Sequence, residues 1–209
     1  MTDVAREKQA ARLDARSRRD AMPDMLREHK SALLCEQLDY ILDRLLTDTR
    51  SGSHPAPTIA VYAAMGSEAD PAAFARRAGQ RGCTVAYPCM FTKEEAAACG
   101  QRMGMRAVTQ QDLDAAPFIA HPARAFSADA IDRLRFPIVP AFAIDLVVVP
   151  LVAFDARNRR LGYGGGCYDR YLPALRPDCQ IIGIAFEEQR IASVPADERD
   201  MTLPRILRA

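Results

Sequence analysis

The stretch "DLVVVPLVAFDARNRRLGYGGGCYDRYL", Asp145 to Leu172, decides the reading of this chain. Val147, Val148 and Val149, closed by Pro150, form the best strand signal in the sequence, because β-branched side chains suit a pleated, buried surface. Gly162, Gly164, Gly165 and Gly166 then crowd around Tyr163, and "CYDRYLPAL" reads as a helix behind them. In open α/β sheets, ligands sit beyond the carboxyl ends of the strands, where this loop falls. Glycine backbone lacks the Cβ that would hold a ligand away, so its N–H groups can converge on an anion. A helix starting near Cys167 aims its positive end at the same point. A tight turn joining strand to helix would use the same glycines. The order "GYGGG" also fits G-x-G-x-x-G poorly, and no G-x-x-x-x-G-K-[ST] is present. The neighbours tip the balance: Arg159 and Arg160 supply cations, and Asp169 supplies a carboxylate. Phosphate, cation and carboxylate together point to a nucleotide with Mg2+.

Outward from this loop, strands and helices alternate. "TIAVYAA" and "CTVAYP" read as strands flanking the helix "DPAAFARRAGQRG". Asp70 suits its cap, Pro71 its first turn, and Gly79 or Gly82 its end. Strands joined through a helix should be parallel. "CQIIGIAF" is the last clear strand, and "SADAIDRLRF" reads as a helix capped by Ser127. Residues 93–125 mix signals and receive no element. Upstream, Val4 to Ala21 reads as an Ala- and Arg-rich helix. Pro23 and Asp24 open a second, whose Leu26, Leu33, Leu34, Leu38, Ile41, Leu45 and Leu46 recur at helical spacing and are assigned to the core. Thr49 to Pro57 reads as a loop. The expected fold is an open, mainly parallel α/β sheet covered by helices on both faces, a three-layer α/β/α arrangement. It forms a single domain over residues 1–209, with an N-terminal helical pair (about residues 4–46) packed on it.

Composition narrows the function. The chain has 209 residues, 49% hydrophobic and 26% charged, with a formal net charge of +1. That is ordinary for a soluble globular protein. It offers no global electrostatic case for nucleic acid or an acidic membrane. "MTDVAREKQA" has no apolar signal region, and no stretch approaches the roughly 18 apolar residues of a spanning helix. A cytoplasmic location is expected. Cys35, Cys83, Cys89, Cys99, Cys167 and Cys179 form no C-x-x-C pair and read as reduced, mostly buried thiols. His29, His54 and His121 are scattered and read as structural or surface residues. Neither H-E-x-x-H nor G-x-S-x-G occurs, so zinc hydrolysis and a serine triad lack their usual parts.

The stretch from Asp145 to Leu172 resembles the signature of the 5-formyltetrahydrofolate cyclo-ligase family, also called 5,10-methenyltetrahydrofolate synthetases. Sparser likeness spans nearly the whole chain, in "EKQAARLDAR", "VYAAMGSEADP", "VAYP", "GIAFEEQ" and "PADERDM". The resemblance implies ATP- and Mg2+-dependent conversion of 5-formyltetrahydrofolate to 5,10-methenyltetrahydrofolate, ADP and phosphate. It implies that Lys8 and Arg12, four apart on one helix face, hold ATP phosphates. Arg160, Leu161, Gly162, Tyr163, Gly164, Gly165, Gly166, Cys167 and Tyr168 would wrap the triphosphate. Tyr163 to Cys167, with Ala63 and Glu68, would meet the folate, Glu68 accepting from the pterin's N–H donors. Asp169 and Asp200 would bind Mg2+. Arg160, Tyr163, Gly165 and Asp169 are the catalytic candidates. Tyr62 and Met65 are possible apolar walls, with Tyr62 read chiefly as core. The implied partners are ATP and a reduced folate, with or without polyglutamate, and the default state is a monomer.

Three positions depart from the family pattern. Cys167 stands where tyrosine is common, and beside a helix N-terminus and Arg170 its thiol is expected to have a lowered pKa. Cys89 stands where a cation is common, and Pro204 where an acid is frequent. Two other readings stay open at this level: a folate- or nucleotide-binding protein without turnover, and a different ATP-dependent kinase or ligase on the same scaffold.

Overall fold

A computed structural model describes residues 3–50, 56–198 and 200–209. His54 and the centre of the loop expected at Thr49 to Pro57 lie outside the described residues. In chain order the helices are α1 (Asp3–Asp20), α2 (Asp24–Arg50), α3 (Ala72–Gln80), α4 (Lys93–Cys99), α5 (Pro117–Ala120) and α6 (Cys167–Tyr171). The strands are β1 (Thr58–Ala60), β2 (Thr84–Met90), β3 (Met103–Ala107), β4 (Ile138–Val139), β5 (Leu146–Val149), β6 (Ala153–Phe154), β7 (Arg160–Leu161), β8 (Gln180–Ala185) and β9 (Arg205–Arg208).

Among the described residues, seven strands form one sheet in the order β4-β3-β2-β1-β5-β8-β9, and β6 pairs with β7 in a separate hairpin. The valine strand β5 lies between β1 and β8, parallel to both. All four of its residues are buried. Leu146 and Val148 enter the core on one face, Val147 and Val149 the core on the other. This is the period-two alternation of a strand covered on both sides. Ile59 and Ala60 of β1 divide in the same way. The first face is covered by Leu34, Leu38 and Leu42 of α2 and Phe74 of α3, the second by Tyr171 of α6 with Leu172 and Leu175. The three-layer expectation holds, and β1 and β2 are parallel as predicted. β3 is antiparallel to β2 and β4, so the sheet is mixed at that edge.

Several local expectations change. Leu26 and Leu33 are exposed, because only part of α2 faces the sheet. The helix expected after Ser127 is a short 3-10 turn, Ala128–Ala130, and Ser127 forms no side-chain cap. Asp132 instead accepts the amides of Leu134 at 3.0 Å and Arg135 at 3.1 Å, a local turn that competes with helix. The predicted "CYDRYLPAL" helix is α6 followed by a 3-10 turn at Pro173. Residues 93–125 contain α4, which carries a Thr92–Glu95 capping box, together with β3 and α5. Asp70 accepts the Ala72 amide at 2.9 Å, one position outside the Pro71 N-cap. Among the described residues, no helix is long and apolar enough to cross a membrane.

Candidate active site

From β1 the chain passes through α3 to β2 on one side, and from β5 onward it reaches β8 on the other. The crevice beyond β1 and β5 is therefore a topological switch point, the usual ligand position in such sheets. A cavity of about 1200 Å3 fills it. Lys8, Arg12, Ala63, Glu68, every residue from Arg160 to Asp169, and Asp200 line this one cavity. Residues far apart in sequence are thus brought together by four segments: α1, the turn after β1, the stretch from β7 into α6, and the segment before β9. Arg159 does not line the cavity; its guanidinium pairs with Asp155 at 2.7 Å and reaches Ser193 at 3.0 Å.

One wall is a face of α1. Lys8, Arg12, Arg16 and Arg19 follow at spacings of four, four and three and all line the cavity. Arg12 Nε donates to the Gly162 carbonyl at 2.7 Å, tying the helix to the glycine loop. Lys8 is engaged by acids: its Nζ lies 2.8 Å from Asp197 Oδ2 and 2.5 Å from Asp200 Oδ2. Burial opposes the charge on Lys8, but hydrogen bonds to the two carboxylates prevail and raise its pKa.

The glycine loop turns its carbonyls toward guanidinium groups. Gly162 O meets Arg12, and Gly165 O meets Arg102 Nη1 at 3.3 Å and Arg170 Nη1 at 3.1 Å. Peptide planarity turns the following N–H the opposite way. Among the described residues, the amides of Tyr163, Gly164, Gly165 and Gly166 donate to no carbonyl. Gly164 has φ of 95° and Gly166 of 62°, so these two positions need glycine for conformation alone. Such a run of unclaimed donors has the chemistry to receive an anion.

Asp169 lies within α6 and does not cap it. Its Oδ1 accepts Arg160 Nη2 at 2.9 Å and the Met201 amide at 3.2 Å. Asp200 Oδ2 accepts Lys8 and the Asp197 amide at 2.7 Å. Each carboxylate is thus engaged, among the described residues, through one oxygen, and the other would be open to a cation on the same cavity wall. Among the described residues, no group of three or more His, Cys, Asp or Glu forms a metal site. A Mg2+ ion held by two carboxylates and completed by phosphate oxygens and water fits this donor set.

At the other end Glu68 is buried, with Oε2 accepting the Met65 amide at 2.7 Å and Oε1 lacking a partner among the described residues. Burial raises its pKa, opposed by the Met65 amide, Tyr163, Arg19 and Arg16. Tyr163 is pushed up to about 12, by burial and then by Glu68. Tyr62 is buried and donates to the Ala69 carbonyl while also lining the cavity, so it is both core and wall.

Cys167 overturns the expected activation. Its thiol pKa is raised, because burial outweighs the attraction of Arg102 and Arg170. The other two departures lie off the cavity. Pro88 and Met90 line it, while Cys89 between them is buried in the core on the opposite face. Pro204 is exposed just before β9. Arg16 and Arg19 escaped the sequence reading, although their spacing from Arg12 puts them on the same helix face. His29 and His121 are exposed, and all six cysteines are free, four of them buried.

Comparison with known proteins adds an independent line. Residues 4–209 match the model of the 5-formyltetrahydrofolate cyclo-ligase family. The 5-formyltetrahydrofolate cyclo-ligase of Escherichia coli K12 is 38% identical over 71 residues, covering 34% of this chain and 39% of that protein. That of Mycoplasma pneumoniae is 44% identical over 64 residues, covering 31% of this chain and 38% of that protein. The matched stretches thus span well under half of these relatives. Among solved structures, a 5,10-methenyltetrahydrofolate synthetase from Mycoplasma pneumoniae superposes with a TM-score of 0.64 at 22% identity, covering 95% of this chain and 96% of that one. The Aquifex aeolicus 5,10-methenyltetrahydrofolate synthetase gives 0.65 at 20% identity, covering 96% and 89%. At such identities the likeness speaks for the fold.

Proposed function

The chain belongs to the 5-formyltetrahydrofolate cyclo-ligase family, and we propose that it cyclises 5-formyltetrahydrofolate to 5,10-methenyltetrahydrofolate with ATP and Mg2+. The observation that carries this reading is the chemistry at the two ends of one cavity. Cations, unclaimed amides and two carboxylates line one end, and a buried acid with an unpartnered oxygen lies at the other.

A formamide oxygen is a poor leaving group. In the proposed reaction it attacks the γ-phosphorus, the bond to the β-phosphate oxygen breaks, and ADP departs. N10 then attacks the formyl carbon, the carbon–oxygen bond breaks, phosphate leaves with that oxygen, and N10 loses its proton. No protein nucleophile is required, so the protein's task is alignment and charge neutralisation. Arg12, Arg160 and the amides around Gly164 would hold the triphosphate. Glu68 would accept from the pterin, and Ala63 would leave room for it. Asp169 and Asp200 would hold Mg2+, which supplies charge neutralisation at the phosphate oxygens. Lys8, which pairs with Asp197 and Asp200 on this wall, would add a cation beside the phosphates.

On this proposal residues 1–209 act as one catalytic domain and one monomer, on ATP and a reduced folate with or without polyglutamate. Six unpaired cysteines support a reducing, cytoplasmic setting. The methenyl product has a near-ultraviolet chromophore that the formyl substrate lacks. Absorbance should appear only when ATP and Mg2+ are both present, with matching phosphate release. Folate and nucleotide binding without either signal would instead make this a binding protein.

A further inference from the structure

We propose that Arg19 is a positioning residue for the folate end of the cavity, setting the Tyr163 hydroxyl and the Glu68 carboxylate for the pterin. This rests on the function proposed above.

Arg19 is 2% exposed, on a helix whose other arginines reach solvent or the cavity mouth. A buried guanidinium costs solvation and needs compensation. Its partners here are modest. Nε donates to Ser67 Oγ at 2.9 Å, Nη2 donates to the Tyr163 hydroxyl at 3.3 Å, and Nη1 has no partner among the described residues. The nearest paired carboxylate oxygen, on half-exposed Asp20, is 3.9 Å from Nε. A purely structural arginine would be expected to hold a close acid. What Arg19 does approach is a second under-satisfied group. Glu68 is 6% exposed, Oε1 has no partner, and Tyr163 lies between the two, bonded to Arg19 and adjacent to Glu68.

The charged and titratable groups near Glu68 include Arg16 and Arg19 from α1, Tyr62 just after β1, and Tyr163 and Tyr168 from the loop and α6. A second cavity that Glu68 also lines adds Asp24, Arg27 and Glu28 from α2, Asp70, and Arg76 from α3, with Arg27 paired to Asp24 and Arg76 exposed. Arg16 is exposed, so water screens it, whereas Arg19 is buried and acts at low dielectric. Arg19 is therefore the buried cation that, with the Met65 amide and Tyr163, favours the Glu68 carboxylate over its protonated form, while it also anchors Tyr163, the one large side chain of the glycine loop.

The test compares the parent protein with Arg19→Gln and Arg19→Lys. In the ligand-free proteins, the side-chain carboxyl carbon of Glu68 is followed by NMR against pH. Losing a nearby cation disfavours the carboxylate, so the Gln variant should titrate at higher pH and the Lys variant should return toward the parent. With substrates, the Gln variant should raise KM for the folate by about tenfold, the scale of one lost hydrogen bond to a charged group. KM for ATP should stay unchanged, and the acid limb of kcat/KM should move up with Glu68. A folded Gln variant with the parental Glu68 titration overturns the proposal. If the Gln variant does not fold, Arg19→Met, which also removes the cation, takes its place in the same measurements. A Glu68 titration moved to higher pH with a raised folate KM and parental ATP KM supports the role, and a parental Glu68 titration overturns it. A parent that makes no methenyl product refutes the proposed function, whereas the NMR titration still judges Arg19 on its own.

Discussion

Arg160 Nη2 stands 2.9 Å from Asp169 Oδ1 on one wall of the cavity. The cation expected at the nucleotide and the carboxylate expected at its metal therefore already hold each other in place. Arg160 is buried, with its side chain 4% exposed, and this pair orients it together with the Met201 carbonyl, which accepts from its Nη1.

Replacing Asp169 by Asn keeps the shape and one acceptor for Arg160 but removes the charge. Turnover should fall by roughly a hundredfold or more, as when transition-state charge loses its stabiliser. Folate affinity should stay within about twofold, because Glu68 and Arg19 lie at the other end. Equilibrium folate binding and single-turnover rates on the same preparation check this. Parallel loss of both would remove Asp169 from the phosphate chemistry.

Gly164→Ala and Gly166→Ala should each destabilise the protein by about 1–2 kcal/mol, since left-handed backbone is costly for a residue with a Cβ. At Gly164 an added Cβ would also meet the Arg12 guanidinium at 3.5 Å. Gly162→Ala is the internal control, because its φ is not positive and nothing lies within 4 Å of an added Cβ. Urea denaturation should rank it near the parent, with the other two clearly below.

Asp155 anchors the β6–β7 hairpin from which Arg160 projects. It accepts the Arg157, Arg159 and Val194 amides at 2.9, 3.2 and 2.9 Å, and Arg159 Nε at 2.7 Å. Burial works against its charge, but these donors prevail and hold the carboxyl below its usual range. A carboxyl that titrates lower when folded stabilises the fold fully above its unfolded pKa, about 3.9, and loses that contribution as pH falls through the folded value. Asp155→Asn should cost about 2–3 kcal/mol at neutral pH. The gap between variant and parent should close only in acid below about pH 4, read as denaturation midpoints across pH.

Cys167 should react with iodoacetamide more slowly than a model thiol at neutral pH. Its thiol is half-buried and its pKa is raised, so little thiolate is present. Mass mapping of a time course should show Cys99, the exposed cysteine, labelled first. Faster labelling at Cys167 would mean that the loop opens in solution.

The parts of this architecture that could be read from sequence are those where burial writes a pattern. Val147 to Val149 are covered on both faces, and a continuous β-branched run is what that requires. β3 hid because "MGMRA" carries no such run, and its Arg106 is buried despite its charge. The β6–β7 hairpin hid because two-residue strands depend on the Asp155 side chain more than on propensity. In α2, Leu26 and Leu33 keep the helical period of Leu34 and Leu38, but spacing alone does not say how far along the helix the sheet extends. At the site, glycines and acids declare their chemistry by type. Arg19 did not, because "ARSRR" looks like a wetted basic face until its burial is known. The Cys167 thiol was misjudged for the same reason: neighbouring charges are visible in sequence, whereas desolvation is not.

Helix α1 reaches the acids at Asp197 and Asp200 through Lys8, and Ser67 and Tyr163 through Arg19. Eleven residues of helix make that a rigid ruler of roughly 16 Å. The separation between the two ends of the cavity is thereby built into one piece of secondary structure, independent of how the intervening loops breathe. Lengthening α1 by a single residue between Arg12 and Arg16 would swing everything beyond by about 100° and put the two ends out of phase, while leaving each end's own residues intact.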